Sequence, residues 1–230
     1  MSYGIRLLND SGAILVDGEY SNYSLLASGT LAVSPGGTDV TFAATPARPI
    51  VFVRLQSTTK WAAIGFLSST VARFHMYDSP SLPDINPRNE VSGTLEYMIF
   101  GLALAVAPVA GYGMRVYNAV GLLMYDSSVL TPRVKQIVQV SSIPSPQGGV
   151  NLGPVVSVSH SLGGSPWIMA NPTLCFYGHY YQTGSTADLF RPCVRSSAAG
   201  QIEVSVGKVV AIGTTDTRWP VAPLVFPLIA

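Results

Sequence analysis

Polar and apolar residues alternate strictly from Gln201 to Val206. That period belongs to a strand with one wet face and one buried face. Short runs rich in Val, Ile, Thr, Tyr and Phe recur along the chain, separated by Gly, Pro, Ser and Asn. Pro49 to Leu55, Leu95 to Phe100 and Pro154 to Ser159 read as further strands. No window of about a dozen residues keeps a helical period, and the best helical candidate, Val134 to Val140, reads equally well as a strand. Glycine turns are expected at Pro35-Gly36-Gly37, Gln147-Gly148-Gly149 and Gly163-Gly164. Many short strands with frequent turn signals predict an all-β fold of sandwich or barrel type.

The most informative pattern is an internal repeat. The segment from Tyr3 to Asp17 returns 109 residues later as Tyr112 to Asp126, and six of the fifteen positions are identical: Tyr, Gly, Arg, Asn, Gly and Asp. Asn9 to Gly12 and Asn118 to Gly121 fit tight turns with Asn first and Gly last, so each copy reads as a β-hairpin with its glycine at positive φ. Gly4 and Gly113 mark a bulge or a close backbone approach. Arg6 and Arg115 are placed to pair with Asp17 and Asp126 across the hairpins, a structural contact rather than a functional site. Two arrangements fit. Each hairpin opens its own β-sandwich-like domain, residues 1–110 and 111–230, or the hairpins are pseudo-symmetric edges of one domain. Strand-rich text of sandwich length follows each copy, which favours two domains related by the repeat.

The repeated Tyr-Gly-Ile/Met-Arg-Leu/Val-x-Asn-x-x-Gly motif, followed by a strand ending in Asp17 or Asp126, resembles the opening motif of small proteins encoded near the tail-tip and fibre genes of tailed bacteriophages. Tyr97-Met98-Ile99-Phe100 and Met124-Tyr125-Asp126-Ser127 are similar as well. The resemblance covers both hairpins and the strands beside them. It implies a sandwich protein of the virion, assembled in the host cytoplasm on the tail tip, baseplate or fibre attachment. Other tail proteins and further copies of the chain, most simply a trimer, would be its partners. It carries over no catalytic residues.

Composition agrees with a protein that assembles. Hydrophobic residues make up 48% of the chain and charged residues 11%, against roughly 25% charged in ordinary soluble domains. Part of the apolar surface is expected to be covered by other subunits. The best membrane candidate, Tyr97 to Met114, is uncharged but holds glycines and a proline, and it reads as a strand leading into a turn rather than a membrane span. Met1 to Arg6 lacks the basic-then-apolar order of an export signal. The net charge is +1 with the 13 Lys and Arg scattered singly, which argues against nucleic acid as a partner. Cys175 and Cys193 make no disulfide framework or metal knuckle; buried thiols are expected, and a bridge between them stays open.

Catalytic chemistry is not legible. Ser159 to Gly164 differs by one residue from a lipase nucleophile elbow, but Ser165 to Met169 reads as a turn and a strand where the elbow needs a helix. His75, His160 and His179 share no ligand spacing, and Asp78, Asp84 and Glu90 do not match a calcium loop. Ser79 to Arg88, with Pro80, Pro83 and Pro87, reads as a rigid exposed loop. No metal, cofactor or enzymatic activity is expected. Two segments are candidates for partner binding. Tyr177, His179, Tyr180 and Tyr181 suit a glycan or a protein surface, or else a strand whose aromatics face the core. Trp219, Leu224, Phe226 and Leu228 lie in an uncharged tail whose prolines 220, 223 and 227 exclude a helix and interrupt a central strand. That tail is expected to pack on its own sheet or on a neighbouring subunit. The function expected is a structural tail component working by assembly, with a receptor- or glycan-binding module of a tail fibre as the alternative.

Overall fold

The computed structural model describes residues 6–8, 14–17, 22–45, 47–78, 90–102, 113–118, 121, 123–140, 155–171, 178–179, 187–197, 200–212 and 224–229, which form seventeen strands and no helix. A first hairpin, β1 (Arg6–Leu8) and β2 (Ile14–Asp17), precedes β3 (Tyr23–Val33), β4 (Thr38–Thr41), β5 (Ile50–Leu55), β6 (Trp61–Ser68), β7 (Val71–Tyr77) and β8 (Gly93–Leu102). A second hairpin, β9 (Arg115–Tyr117) and β10 (Leu123–Asp126), precedes β11 (Gln136–Val140), β12 (Val156–Ser159), β13 (Trp167–Met169), β14 (Gly178–His179), β15 (Ala187–Ser196), β16 (Gln201–Ile212) and β17 (Leu224–Ile229). Val134 to Val140, the best helical candidate, contributes β11. The uncharged stretch from Tyr97 contributes the end of β8 as far as Leu102, and its residues 103–112 lie outside the described residues.

Two antiparallel sheets pack face to face. One has the order β11-β17-β13-β5-β8-β3, the other β12-β16-β15-β6-β7-β4, with β14 added beside β15. Each order reads the same from either end once the halves are matched. β8 lies between β3 and β5, as β17 lies between β11 and β13; β7 lies between β4 and β6, as β16 lies between β12 and β15. The repeat seen in the hairpins therefore extends through the whole half-chain, and β14 is the one extra element.

The halves meet at two seams, β5 against β13 and β6 against β15, each an antiparallel pair of equivalent strands. A twofold axis normal to the sheets produces this pairing, since each contact is then made twice. Phe52 faces Met169, with Pro49 and Pro166 each three residues upstream; Val53 faces Ile168, and the related pair is joined by the Ala170 N–H donating to the Val51 carbonyl at 2.9 Å. This corrects the expected division. Residue 110 separates two repeats, but 1–110 and 111–230 are halves of one sandwich. The physical reason is edge exposure. A half alone would leave β5 and β6 as bare edges, although Val51, Phe52, Val53, Trp61, Ala62 and Ala63 are all buried.

One core fills the space between the sheets. Val51, Val53, Phe74, Leu95 and Ile99 from the first half pack with Ile168, Val194, Ile202, Val204 and Leu228 from the second. The first sheet is apolar on its other face too, where Phe52, Phe100, Trp167, Met169 and Ile229 form a second cluster. This explains why Pro49 to Leu55 is a nearly unbroken apolar run instead of an alternating one. Cys193 is buried on the far side of the other sheet beside Trp61, Ala63 and Tyr77, whereas Cys175 lies outside the described residues.

Each seam carries the same pair of side chains. The Arg54 guanidinium of β5 sits 4.7 Å from the Trp167 ring centroid of β13, and the Arg195 guanidinium of β15 sits 4.5 Å from the Trp61 ring centroid of β6. Each arginine also bonds a glutamate in register on its own half, Arg54 to Glu96 and Arg195 to Glu203. A cation over an indole contributes on the order of 1 kcal/mol. Here the glutamate fixes the guanidinium plane over the ring, so each seam is bridged above the backbone ladder.

Shared sheets and a shared core predict one cooperative unfolding transition for the chain, seen alike by near- and far-ultraviolet circular dichroism in denaturant. Trp167→Ala should lower the stability of that single transition by about 3–5 kcal/mol. Two resolved transitions would show that the halves unfold as separate domains.

Candidate functional site

The aromatic candidates are only partly placed. His179 lies in β14, where its backbone faces Asp188 of β15, and Tyr177, Tyr180 and Tyr181 lie outside the described residues. Among the tail candidates Trp219 lies outside them as well. Leu224, Phe226 and Leu228 belong to β17, inside the first sheet between β11 and β13. Leu224 faces Val140, Phe226 faces Val138, and Leu228 is completely buried in the shared core. The tail thus docks on its own sheet. The expectation that its prolines interrupt a central strand is corrected at Pro227, which continues β17. It pairs with Ile137 of β11, while the ladder to β13 is confined to Leu228 and Ile229. The strand is flanked on both sides only beyond the proline, so the missing donor is tolerated. Deleting residues 220–230 should remove β17 from between β11 and β13 and abolish cooperative thermal melting, followed by circular dichroism; an unchanged melt would refute that placement.

Ser159 ends β12, and the loop from His160 leads into β13, with Gly164 at φ 71°. The backbone N–H and hydroxyl of Ser161 both donate to Gln136 Oε1, at 2.9 and 3.1 Å, which ties this loop to β11. A strand stands where a nucleophile elbow needs a helix. Among the described residues no group of three or more His, Cys, Asp or Glu could hold a metal ion, and no helix is long and apolar enough to cross a membrane.

Glu90, which with Asp78 and Asp84 does not match a calcium loop, has a buried side chain. Its carboxylate meets His75 Nδ1 at 2.9 Å and accepts the Gly36 N–H at 2.6 Å, tying the β3–β4 turn to β7. Gly36 and Gly37 both take positive φ in that turn, and a Cβ on Gly37 would collide with Arg73 and His75. Next to it Arg73 clamps Asp39 through two parallel bonds of 2.6 and 2.9 Å, which hold the Asp39 carboxyl below its usual range. These are locks within the fold.

The second hairpin is the feature that reaches beyond its own repeat. Its turn is built as expected: the Gly121 N–H donates to the Asn118 carbonyl at 3.0 Å, with Gly121 at φ 82°. Gly12 lies outside the described residues. The predicted ion pair forms, Arg115 Nε to Asp126 Oδ2 at 2.9 Å, on an aspartate whose side chain is nearly enclosed. Two serines unremarked in the sequence complete it. Ser128 gives both its N–H and its hydroxyl to Asp126 Oδ1, and Ser127 exchanges bonds of 2.8 and 2.9 Å with the Met114 backbone. A Cβ on Gly113 would lie 2.8 Å from the Ser127 hydroxyl, the close approach its glycine implied. An aspartate followed two residues later by serine is itself a turn signal, so Ser128 could have been found.

The first hairpin matches the second pair for pair. Arg6, Leu7 and Leu8 face Asp17, Val16 and Ile14, as Arg115, Val116 and Tyr117 face Asp126, Tyr125 and Leu123, with the register shift at the same place. The second hairpin is docked: the Asn22 N–H donates to the Met124 carbonyl at 3.1 Å, and the Leu25 N–H donates to the Leu130 carbonyl at 2.9 Å. Val116 and Met124 are buried, while Met114, Tyr117 and Leu130 remain exposed. A hairpin of the second repeat thus covers the start of β3 in the first.

A separate open pocket of about 290 Å³ lies between the start of β5 and the β6–β7 turn, lined by Thr45, Arg48, Phe66, Ser68 and Ser69 among others. The Arg48 guanidinium lies 5.7 Å from the Phe66 ring centroid. Compared with known proteins, the chain matches no family model, no curated protein and no solved structure.

Hydrogen bonds from Ser128, then the Arg115 charge, hold the Asp126 carboxyl below its ordinary value. A lowered folded-state pKa contributes stability above the unfolded aspartate range, near about 3.9, and that stability is lost as pH falls through the lowered value. Asp126→Asn should remove this acid dependence. It should also speed amide hydrogen exchange at Asn22 and Leu25 on the order of tenfold, because the docked hairpin loosens. Unchanged exchange at both amides would show that the ion pair does not hold the hairpin in place.

Proposed function

We propose that the protein is a structural component of a bacteriophage tail, at the tail tip, baseplate or fibre attachment, acting by assembly with other tail proteins and with itself. The observation that carries this reading is the duplicated hairpin, whose motif resembles those of tail proteins and whose second copy serves as a docking element on another repeat. Support also comes from an 11% charged chain with large apolar residues left exposed along residues 114–137. Such a protein works by holding surfaces together, without turnover, as part of the virion assembled in the host cytoplasm. Light scattering on the purified chain should give a mass above 24.3 kDa, a trimer being the simplest species. Mass spectrometry of purified virions should place the chain in the tail fraction; its absence from tails would overturn the reading.

The alternative, a receptor- or glycan-binding module of a tail fibre, is favoured by the pocket, where an arginine, an aromatic ring and several hydroxyls converge. Those groups suit an acidic sugar. A glycan-array signal lost on Arg48→Ala would support it, and one lost only on Tyr180→Ala would move the site to the aromatic segment.

A further inference from the structure

The two repeats fill equivalent places between the sheets with different chemistry. In the first repeat the Phe42 N–H donates to the Thr70 carbonyl, and in the second the His160 N–H donates to the Gly200 carbonyl. Two residues before these donors, Val40 faces Ala72 and Val158 faces Ile202. On the other flank of the same central strands, Phe66 faces Ala72 and Ser196 faces Ile202. With β4-β7-β6 matched to β12-β16-β15, His160 stands where Phe42 stands, and Ser196 where Phe66 stands.

Phe42 and Phe66 meet edge to face, their ring centroids 6.4 Å apart, and fill their corner with apolar surface. His160 and Ser196 follow Val158 and Val194 by two residues, so they share the inward face that packs on the common core. They are 9% and 2% exposed. His160 Nδ1 and the Ser196 hydroxyl oxygen are both enclosed, and neither bonds a protein atom among the described residues. The change to polar side chains reaches the facing sheet. By the 109-residue spacing of the repeat Gln136 stands for Ala27, and its Oε1 accepts both bonds from Ser161, next to His160.

Buried polar groups are almost always paired, with protein or with internal water. An imidazole and a hydroxyl also occupy less space than two phenyl rings, by more than one water, whose share of the liquid is about 30 Å³. We infer that water held between the two sheets joins His160 Nδ1 to the Ser196 hydroxyl, as one molecule or a short chain. The hydroxyl and water each donate and accept, so the site suits either neutral tautomer of His160. This gives the histidine of the elbow-like segment Ser159 to Gly164 a hydration partner in place of a nucleophile.

The sign of one substitution tests the site. With the hydroxyl hydrated, Ser196→Ala breaks the polar chain and should lower the melting temperature by about 2–4 °C. With the hydroxyl unpaired, the same change relieves a buried polar group and melting rises. Water-to-protein nuclear Overhauser effects in the unsubstituted chain should reach the carbon-bound ring protons of His160, with the sign of long-held internal water. They should vanish there when His160→Phe and Ser196→Phe are combined, which carries the aromatic pair of the first repeat into the second. A melting temperature raised by Ser196→Ala, or no water contact at His160 in the unsubstituted chain, overturns the inference. The second result covers an imidazole and hydroxyl bonded directly to each other, and neither readout depends on the double variant folding.

Discussion

The structure depends on covering two strand edges. Apart from β14, each repeat supplies three strands to each sheet, and the innermost of the three has a partner from its own repeat on one side only. A strand as apolar as β5 cannot end a sheet in water, because its backbone donors and acceptors would face solvent beside a row of large hydrophobic side chains. Pairing equivalent strands across a pseudo-twofold axis solves both edges at once. The six- and seven-stranded sheets that result share one core, so neither repeat has an interior of its own.

Polar chemistry follows from the same constraint. Two arginines lie over tryptophans of the opposite repeat, where a strand meets its equivalent, and each is oriented by a glutamate from its own side. With few charges in the chain, several of those described sit at joints. Arg54 and Arg195 bridge the seams, Glu90 and His75 tie a turn to a strand, and Arg115 and Asp126 close a hairpin. The pocket between the start of β5 and the β6–β7 turn is lined by none of these groups.

Local features were legible in the sequence, and long-range ones were not. Alternation gave the strands, and Asn-x-x-Gly with Arg and Asp at fixed spacing gave the second hairpin down to its ion pair and the conformation of Gly121. The seams left no such mark. Arg54 and Trp167 lie far apart along the chain, and nothing near either announces the other. The length of text after each hairpin suited an independent sandwich, and only the pairing of β5 with β13 and β6 with β15 shows that each half lacks an edge of its own. Pro227 misled for a related reason. Proline removes one donor, and whether that matters depends on which neighbour reaches that residue, a matter of β13 ending early. The candidate side chains of the tail suit their own sheet or a partner, because hydrophobicity alone does not distinguish a core from an interface. Leu228 proves to be core.

A duplication of this kind carries its own arithmetic. Two repeats bring two hairpins. Here the second hairpin reaches back to the first repeat, where the Asn22 N–H bonds the Met124 carbonyl. The sheets are the part that must exclude water, since seams and core tolerate no vacancy. The second hairpin sits outside the sheets, held by a few backbone bonds and two buried side chains. Rigidity and docking are in this way assigned to different elements: the fused sandwich sets the geometry, and the second hairpin joins one repeat to the other.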